Sequence, residues 1–288
     1  MIKLFNRNQN STNETGPGKV IALMNQKGGV GKTTMAYNMA HALGEMGHKV
    51  LCIDMDPQFN FSLLFGQDSD SERGNIHHLL INSVRELKAL HTDTFLSEAI
   101  IKTDKGIDLI PAGQELSGFE LSVASINAPR QLILKKFIEQ NNLRSMYDYI
   151  VIDGPPTLGL LVVNILCACD GVLFPFIPDA FSEQGLKNIH GVLEDIEDMG
   201  IVSAPKVLGY IPNLYENRRK KTKEDFEAIK AIFNEGTIFE PFANKASFAK
   251  SMANKKSVFD YKANDYKELQ GQFLTVARSV ESQLGQMQ

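Results

Sequence analysis

The chain of 288 residues contains no tryptophan, and it has only three cysteines. Three cysteines cannot form a complete disulfide framework, so we expect reduced thiols and a cytoplasmic protein. No charge of one sign dominates the composition, since the formal net charge is −4. Binding to nucleic acid would therefore depend on a local basic patch, because the surface as a whole is slightly acidic.

A long uninterrupted apolar run is also lacking. The most apolar stretch, Leu158–Ile177, is interrupted by Asn164, Asp170, Gly171 and Pro175. We expect a helix and then a buried strand there, because a membrane-spanning helix needs about 20 predominantly apolar residues. Residues 1–18 lack the apolar core of a signal peptide and are rich in Asn, Ser, Thr and Gly. We expect a flexible tail over 1–18 and one domain over 19–288.

A glycine-rich segment, Asn25–Thr34, lies between an apolar run at Lys19–Met24 and a stretch typical of a helix at Met35–Leu43. A strand, a glycine-rich turn and a helix in this order are the setting of a phosphate-binding loop. The backbone N–H groups of glycines can turn toward an anion, and the helix N-terminus adds a favourable dipole. The candidate nucleotide-binding residues of this loop are Lys27, Gly28, Gly29, Val30, Gly31, Lys32, Thr33 and Thr34.

Two side chains of this loop have specific predicted roles. Lys32 is expected to contact the β- and γ-phosphates, and the Thr33 hydroxyl is expected to coordinate Mg²⁺. The usual G-x-x-x-x-G-K-[ST] spelling is not met, because Gln26 stands in the position of the first glycine. A lysine followed by two glycines stands there instead, so the loop is a variant of the standard motif.

Further apolar runs alternate with stretches typical of helices, among them Ile76–Leu90 and Arg130–Asn141. The predicted strands after the first are Val50–Asp54, Gly106–Gly113, Tyr147–Asp153, Gly171–Pro178 and Lys206–Pro212. Near-continuous apolar strands are typical of parallel sheets that are buried on both faces. The sequence therefore predicts an α/β fold with a doubly wound, mostly parallel twisted sheet flanked by helices.

Aspartates stand at the carboxyl ends of two predicted strands, which is the edge where open α/β sheets bind ligands. An isolated aspartate at such a position is more often a helix N-cap. Beside a phosphate-binding loop, however, Asp153 is expected to hold Mg²⁺ directly or through water. Asp54 and Asp56 alternate along their strand, so only one of them can face a nucleotide unless the backbone turns.

The segment Asn25–Thr34 resembles the deviant Walker A loop of the ParA/MinD family of ATPases. Asp54–Gln58 is similar to the switch I motif of that family, and Gly154–Pro156 is similar to its switch II motif. The resemblance implies ATP and Mg²⁺ as cofactors and a homodimer that closes on ATP, with Lys27 contacting the partner's nucleotide. It also implies that Asp56 orients the attacking water and that Asp54 lies near the metal.

The resemblance covers Lys19 to about Leu274. Within the family the sequence is most similar to the ParA partition proteins, and the segment Ile110–Leu116 contributes to that similarity. It implies an ATPase that binds double-stranded DNA non-specifically and associates with the nucleoid. A ParB-like centromere-binding partner would stimulate hydrolysis, and the cargo would be a plasmid or a chromosome. The sequence departs from the partition proteins at Phe59–Asn60 and at Pro212–Arg219. Asn213, within the second of these segments, is the candidate contact for adenine.

Two basic groups are the candidate DNA contacts, because phosphate binding needs clustered lysine and arginine. The first group comprises Arg218, Arg219, Lys220 and Lys221, and the second comprises Lys250 and Lys255. The alternative interpretation of the first group is a solvated helix face.

Other functions found among related ATPases would require features that differ from this sequence. A MinD-like positioning ATPase on a membrane or protein scaffold would end in a basic amphipathic helix, whereas Val280–Gln288 has no lysine or arginine. An iron–sulfur relative would use cysteine ligands, but Cys167 and Cys169 have no companion pair, so core packing is expected.

The pair His77–His78 is expected at the surface or at a helix end. The short segment before the loop leaves no room for a DNA-reading helix-turn-helix domain, so operator recognition is not predicted.

Overall fold

The structure is a computed structural model, and it describes residues 16–68, 74–103, 105–216, 218–233 and 236–286. Most of the predicted tail at 1–18 and part of the polar segment Gln67–Glu72 lie outside these residues. The described residues form a sheet of six strands in the order β3-β2-β4-β1-β5-β6, and every neighbouring pair is parallel. The strands are β1 Lys19–Leu23, β2 Val50–Asp54, β3 Ile107–Ile110, β4 Tyr149–Asp153, β5 Gly171–Phe176 and β6 Lys206–Pro212. The predicted doubly wound sheet is confirmed.

Helices cover both faces of the sheet. They are α1 Lys32–Glu45, α2 Asn60–Leu64, α3 Ile76–Ser83, α4 Leu96–Ala99, α5 Phe119–Ser122, α6 Ile133–Gln140, α7 Leu143–Met146, α8 Leu160–Ala168, α9 Ser182–Met199, α10 Lys220–Ile232, α11 Ala246–Ala253 and α12 Asn264–Gly285. Short 3₁₀ turns are found at Arg85–Leu90, Gln114–Gly118, Arg130–Leu132 and Val258–Asp260. None of the helices in the described ranges is long and apolar enough to cross a bilayer.

Two apolar layers result from the alternation of side chains along each strand. In β1, Val20 and Ala22 join the layer under α3, α6, α8 and α9, whereas Ile21 and Leu23 join the layer under α1 and α12. All four side chains are fully buried. Burial on both faces explains why the strands have near-continuous apolar sequences.

The helix predicted over Ile76–Leu90 is shorter than expected. It ends at Ser83, because Val84 is extended (φ −100°, ψ 107°), and a 3₁₀ turn follows over Arg85–Leu90. The Ser83 hydroxyl donates to the Leu80 carbonyl at 2.6 Å. This bond competes with the main-chain helix pattern, and the β-branched Val84 favours the extended conformation.

The three cysteines are buried and free. Cys52 belongs to the apolar layer under α1, and Cys167 and Cys169 belong to the opposite layer. This agrees with the expected role in core packing. His77 lies in the first turn of α3, so the expected position at a helix end is also confirmed.

Candidate nucleotide-binding site

A glycine-rich loop connects the carboxyl end of β1 to the N-terminus of α1. Gly29 and Gly31 have φ values of 74° and 91°, in the left-handed region that glycine adopts without a steric penalty. A Cβ atom on Gly31 would lie 2.3 Å from the side-chain nitrogen of Asn213. The loop borders a cavity of about 560 Å³, which is the main cavity of the site, and Asp56 and Gln58 also line it. This volume is within the usual range for a small-molecule site.

Lys32 is the first residue of α1 and lies on the wall of this cavity, with only 7 % of its surface exposed. Its ammonium group lies 3.3 Å from the carbonyl oxygen of Lys27. Burial lowers the pKa of Lys32, and the charges of Asp153 and Asp56 oppose that effect. A phosphate beside the ammonium group would supply the counter-charge that a buried cation needs.

Asp153 and Thr33 form the pair that best fits a magnesium ion. The Thr33 hydroxyl lies 2.6 Å from Oδ2 of Asp153, whereas Oδ1 is buried and has no hydrogen-bond partner among the residues that the structure describes. Burial, and then the charge of Asp54, raises the pKa of Asp153 well above its ordinary value. A cation beside this carboxylate would offset both effects, and hydroxyl and carboxylate oxygens are the donors that Mg²⁺ prefers. The residues present therefore fit the ion.

Asp54 lies next to Asp153 in strand register, but its surroundings are different. It is fully buried, and its carboxylate accepts hydrogen bonds from the Asp56 N–H at 3.1 Å and from the Ser62 N–H and hydroxyl at 2.8 and 2.7 Å. Burial raises the pKa of Asp54 to about 7, against the lowering effect of these bonds. Both oxygens are engaged, so Asp54 fixes the conformation of the loop after β2.

Asp56 lines the cavity, and its Oδ1 accepts the Gln58 N–H at 2.9 Å. Burial raises its pKa, while the Gln58 bond and the charge of Lys32 lower it. Because Phe59 takes a positive φ of 63°, the chain turns at this point into α2. Asp56 faces the cavity, whereas Asp54 is fully buried at the end of β2. Only one of the two alternating carboxylates therefore faces the site, in line with the alternation expected from the sequence.

Lys27 is held within its own chain. Its ammonium group forms an ion pair with Asp179, just before α9, and lies 5.9 Å from the ring centre of Phe181. Its backbone N–H donates to Asn25 Oδ1 at 2.9 Å. Lys27 is not among the residues that line the main cavity.

Asn213 follows β6 and lines a second cavity of about 200 Å³. Its Nδ2 donates to the Val30 carbonyl at 2.9 Å, whereas its Oδ1 is buried and has no hydrogen-bond partner within the described part of the chain. Gly31 and Thr34 line both cavities, so the smaller one continues from the phosphate-binding loop. Phe248 and Met252 also line the smaller cavity. An unpaired acceptor in such apolar surroundings suits the amino group of a purine base.

The candidate DNA-binding residues fall into two surroundings. Arg218 and Arg219 precede α10, and Lys220 and Lys221 begin it. Lys220 pairs with Glu224 at 3.6 Å and Lys221 pairs with Asp225 at 2.9 Å. Lys250 is exposed on α11, and no acidic partner within the described residues lies within 4.0 Å of it. Lys255 is exposed but lines the main cavity.

Several residues of the site carry no local sequence signal. Ser62 binds the carboxylate of Asp54 without belonging to a motif. Asp179 and the segment Met252–Lys255 approach the phosphate-binding loop from distant parts of the chain. The only indication for the last of these was its basic composition, which pointed to DNA. The pairing of Asp179 with Lys27 spans 152 residues and has no motif of its own.

The fold and the loop define a P-loop nucleotide-binding protein with a deviant Walker A motif. A family described as an AAA domain matches residues 18–203. The chain is 36% identical over 249 residues to an uncharacterized protein of Methanocaldococcus jannaschii, a match that covers 85% of this chain and 92% of that protein. It is 31% identical over 220 residues to the chromosome partitioning protein ParA of Caulobacter vibrioides, covering 76% and 78%.

Among solved structures, the fold is similar to that of Cyanothece McdA in complex with ATP, with a TM-score of 0.80, 21% identity, and coverage of 93% and 98%. At that identity the likeness concerns the fold alone. The sequence matches carry the assignment further, since the ParA match covers more than two thirds of both chains. The chain belongs to the ParA-type P-loop ATPase family.

Proposed function

We propose that this chain is a Mg²⁺-dependent ATPase that dimerises on ATP, binds DNA non-specifically and positions a plasmid or chromosome. The observation that supports the proposal is the position of Lys32 and Thr33 on the wall of one cavity, with Thr33 bonded to Asp153. The other carboxylate oxygen of Asp153 is buried and has no hydrogen-bond partner among the described residues. Carboxylate, hydroxyl and ammonium groups in this arrangement suit a metal-bound polyphosphate better than any other common ligand.

Each residue of the cavity has a distinct role in this proposal. Lys32 and the N–H groups of Gly28–Thr34 bind the β- and γ-phosphates, while Thr33 and Asp153 hold Mg²⁺ and Asp54 supports them from behind. The bound ion would neutralise charge that develops on the phosphoryl oxygens. Asp56 lies on the cavity wall and accepts a hydrogen bond from the attacking water. The phosphate-binding loop and this aspartate thereby place the water in line with the γ-phosphate.

The smaller cavity provides a basis for adenine recognition. Because Nδ2 of Asn213 is engaged by Val30, Oδ1 is the atom available to a base. This acceptor pairs with the amino group of adenine, whereas guanine would present a carbonyl oxygen and leave two acceptors opposed. We therefore expect ATP to be preferred over GTP.

The family resemblance supports a dimer in which Lys27 contacts the partner's nucleotide. In that state Lys27 exchanges Asp179 for phosphate, which has the larger charge. The dimer would present the basic groups of both copies to DNA, including Arg218–Lys221 and Lys250. The same resemblance supports the proposal of a cytoplasmic, nucleoid-associated ATPase that a ParB-like centromere-binding partner stimulates.

The first experiment measures nucleotide binding and ATP hydrolysis with Mg²⁺. We expect Lys32→Ala to abolish productive nucleotide binding, because the phosphates lose their buried counter-charge. Asp56→Asn has nearly the same shape and should bind ATP with little change but fail to hydrolyse it. Hydrolysis at the wild-type rate by Lys32→Ala would contradict the central claim, and by Asp56→Asn it would show that another residue orients the water.

The second experiment tests the DNA function with random-sequence duplex DNA, in the presence of ATP, ADP or no nucleotide, over a series of salt concentrations. ATP-dependent binding that weakens steeply with salt is the expected result, because phosphate contacts release counterions. ATP-dependent dimerisation without DNA binding in any nucleotide state would favour a positioning ATPase on a membrane or protein scaffold.

A further inference from the structure

Among the described residues, two lysines line the main cavity, and only one of them belongs to the phosphate-binding loop. Lys32 is the first, and Lys255, which is 223 residues further along the chain, is the second. Lys27, the additional lysine of the loop, points toward Asp179. In the isolated chain Lys255 is therefore the second cation available to a polyphosphate in this cavity.

The backbone at Lys255 has an unusual conformation. Its φ of 54° is in the left-handed region, where a residue with a Cβ atom is disfavoured by roughly 1 kcal/mol or more. Gly, Asn or Asp would adopt this conformation at lower cost. Strained positions of this kind are concentrated at functional sites, where the surrounding structure holds the residue in place.

Contacts with α1 hold Lys255 at the cavity. The Tyr37 hydroxyl lies 3.3 Å from the Lys255 carbonyl, and Asn38 Oδ1 accepts the Val258 N–H at 2.8 Å. The Lys255 N–H donates to the Met252 carbonyl at 2.9 Å. Since α1 begins in the phosphate-binding loop, the same helix positions both lysines. The main chain around Lys255 is thus fixed, while its side chain remains solvated and able to reach a ligand.

The position of the segment indicates which part of a nucleotide it faces. Met252 and Thr34 line both the main cavity and the smaller cavity beside Asn213. They therefore lie where the phosphate region meets the base region, which in a nucleotide is occupied by the ribose and the α-phosphate. Lys255 adjoins Met252 on the side of the main cavity.

We propose that Lys255 is a second nucleotide-binding lysine, which contacts the phosphate oxygens nearest the ribose in bound ATP or ADP. The inference rests on the proposed nucleotide-binding function and adds a residue outside the sequence motifs. It separates Lys255 from Lys250 and Lys256, which do not line the cavity and remain available to DNA.

Titration of the full chain with fluorescent ADP and ATP in the presence of Mg²⁺ tests this contact. Lys255→Asn removes the charge and suits the left-handed backbone, so loss of binding would not reflect a strained fold. The matched control is Lys256→Asn at the neighbouring exposed position. We expect Lys255→Asn to weaken binding of both nucleotides about ten-fold, as for a lost charge-assisted hydrogen bond. Lys255→Arg should stay within about two-fold of the wild type, and so should Lys256→Asn.

Several results would overturn the inference. Wild-type affinity of Lys255→Asn for both nucleotides, or an equal loss in Lys256→Asn, would exclude a specific contact. A loss for ATP alone would place the lysine at the γ-phosphate and contradict the assigned position. Normal nucleotide affinity with loss of DNA binding at saturating ATP would make Lys255 a DNA contact. Failure of the unaltered chain to bind either nucleotide would instead refute the proposed function itself.

Discussion

At the scale of single residues, Asp54 and Asp153 show how neighbouring carboxyl groups acquire different roles. They lie side by side in register at the ends of β2 and β4. Three hydrogen bonds from the chain satisfy Asp54, whereas Asp153 receives one and keeps an unpaired oxygen. A cation is therefore drawn to Asp153, and removal of Asp54 would disturb the loop that carries Asp56.

His41 makes the stability of the chain sensitive to pH. It is buried on α1, and its ring packs edge-on against Tyr37. Its Nε2 has no hydrogen-bond partner in the described ranges of the chain. Burial, and then the charge of Lys105, lowers its pKa to about 4, against the opposing effect of Asp260. The unfolded chain takes up this proton near pH 6.5 and the folded chain only near pH 4. Stability is therefore lost as the pH falls through that interval, by about 3 kcal/mol at most.

Urea unfolding of the wild type and His41→Phe between pH 7 and pH 4 measures this effect. The variant keeps a ring beside Tyr37 and cannot be protonated, so its free energy of unfolding should fall less with acid, by about 3 kcal/mol. His91 lies at the surface, and His91→Phe is the control that should follow the wild type. Parallel curves for the wild type and His41→Phe would contradict the assignment.

The residues of the phosphate-binding loop and the strand-end aspartates could be predicted from the sequence, because their roles follow from local order along the chain. The role of Ser62 could not be predicted from the sequence. It depends on a turn at Phe59 with a positive φ, and no glycine at that position indicates the turn. The position of Lys255 at the cavity also depends on long-range packing. The basic composition around Lys255 indicates DNA binding, whereas the fold shows that Lys255 lines the main cavity.

At the scale of elements, the contact between the phosphate-binding loop and the start of α9 controls where Lys27 points. Oδ2 of Asp179 pairs with Lys27, and its Oδ1 accepts the N–H groups of Phe181 and Ser182, both at 3.0 Å. One side chain thus holds the lysine and caps the helix. Lys27 must leave this carboxylate before it can contact a second nucleotide.

We expect Asp179→Asn to dimerise at a lower ATP concentration than the wild type. Asparagine keeps the capping acceptor but removes the charge that holds Lys27. Light scattering during an ATP titration measures the midpoint, which should fall about two- to five-fold, in line with a partly exposed ion pair. Glu183→Gln, which removes an exposed pair with Lys187 on the same helix, should leave it unchanged. A higher midpoint in Asp179→Asn would show that the pair instead supports the dimer.

Strands were easier to predict than helices in this chain. Continuous apolar runs located all six strands to within a few residues, since burial on both faces leaves little ambiguity. Helix ends depend on single contacts, and the Ser83 bond to Leu80 ended α3 earlier than periodicity indicated. The 3₁₀ turn at Arg130–Leu132 likewise shortens the predicted helix before α6.

At the scale of the whole molecule, the two basic groups differ in how far their charge is compensated. Lys220 and Lys221 each face an acidic residue one turn along α10. On α11 and after it, Lys250 and Lys256 have no acidic partner among the described residues. Lys250 and Lys256 therefore keep their positive charge available for DNA, whereas the charges of Lys220 and Lys221 are compensated within α10.

Replacing Lys250 and Lys256 by alanine together should weaken ATP-dependent DNA binding more than replacing Lys220 and Lys221. Each lost phosphate contact should lower the slope of log affinity against log salt by about 0.9. The pair of double variants serves as its own control, because both remove two charges from exposed positions. An equal or larger loss for Lys220 and Lys221 would place the DNA surface on α10.

The packing of α12 against α1 has a consequence for synthesis of the chain. Phe273, Val276 and Val280 complete the apolar layer that supports α1, and thereby the N-terminus that holds Lys32. The motif that binds phosphate is translated long before the residues of α12 that cover its supporting helix. A nascent chain on the ribosome therefore has the loop without a finished site, and we expect nucleotide binding to begin only after α12 emerges and docks.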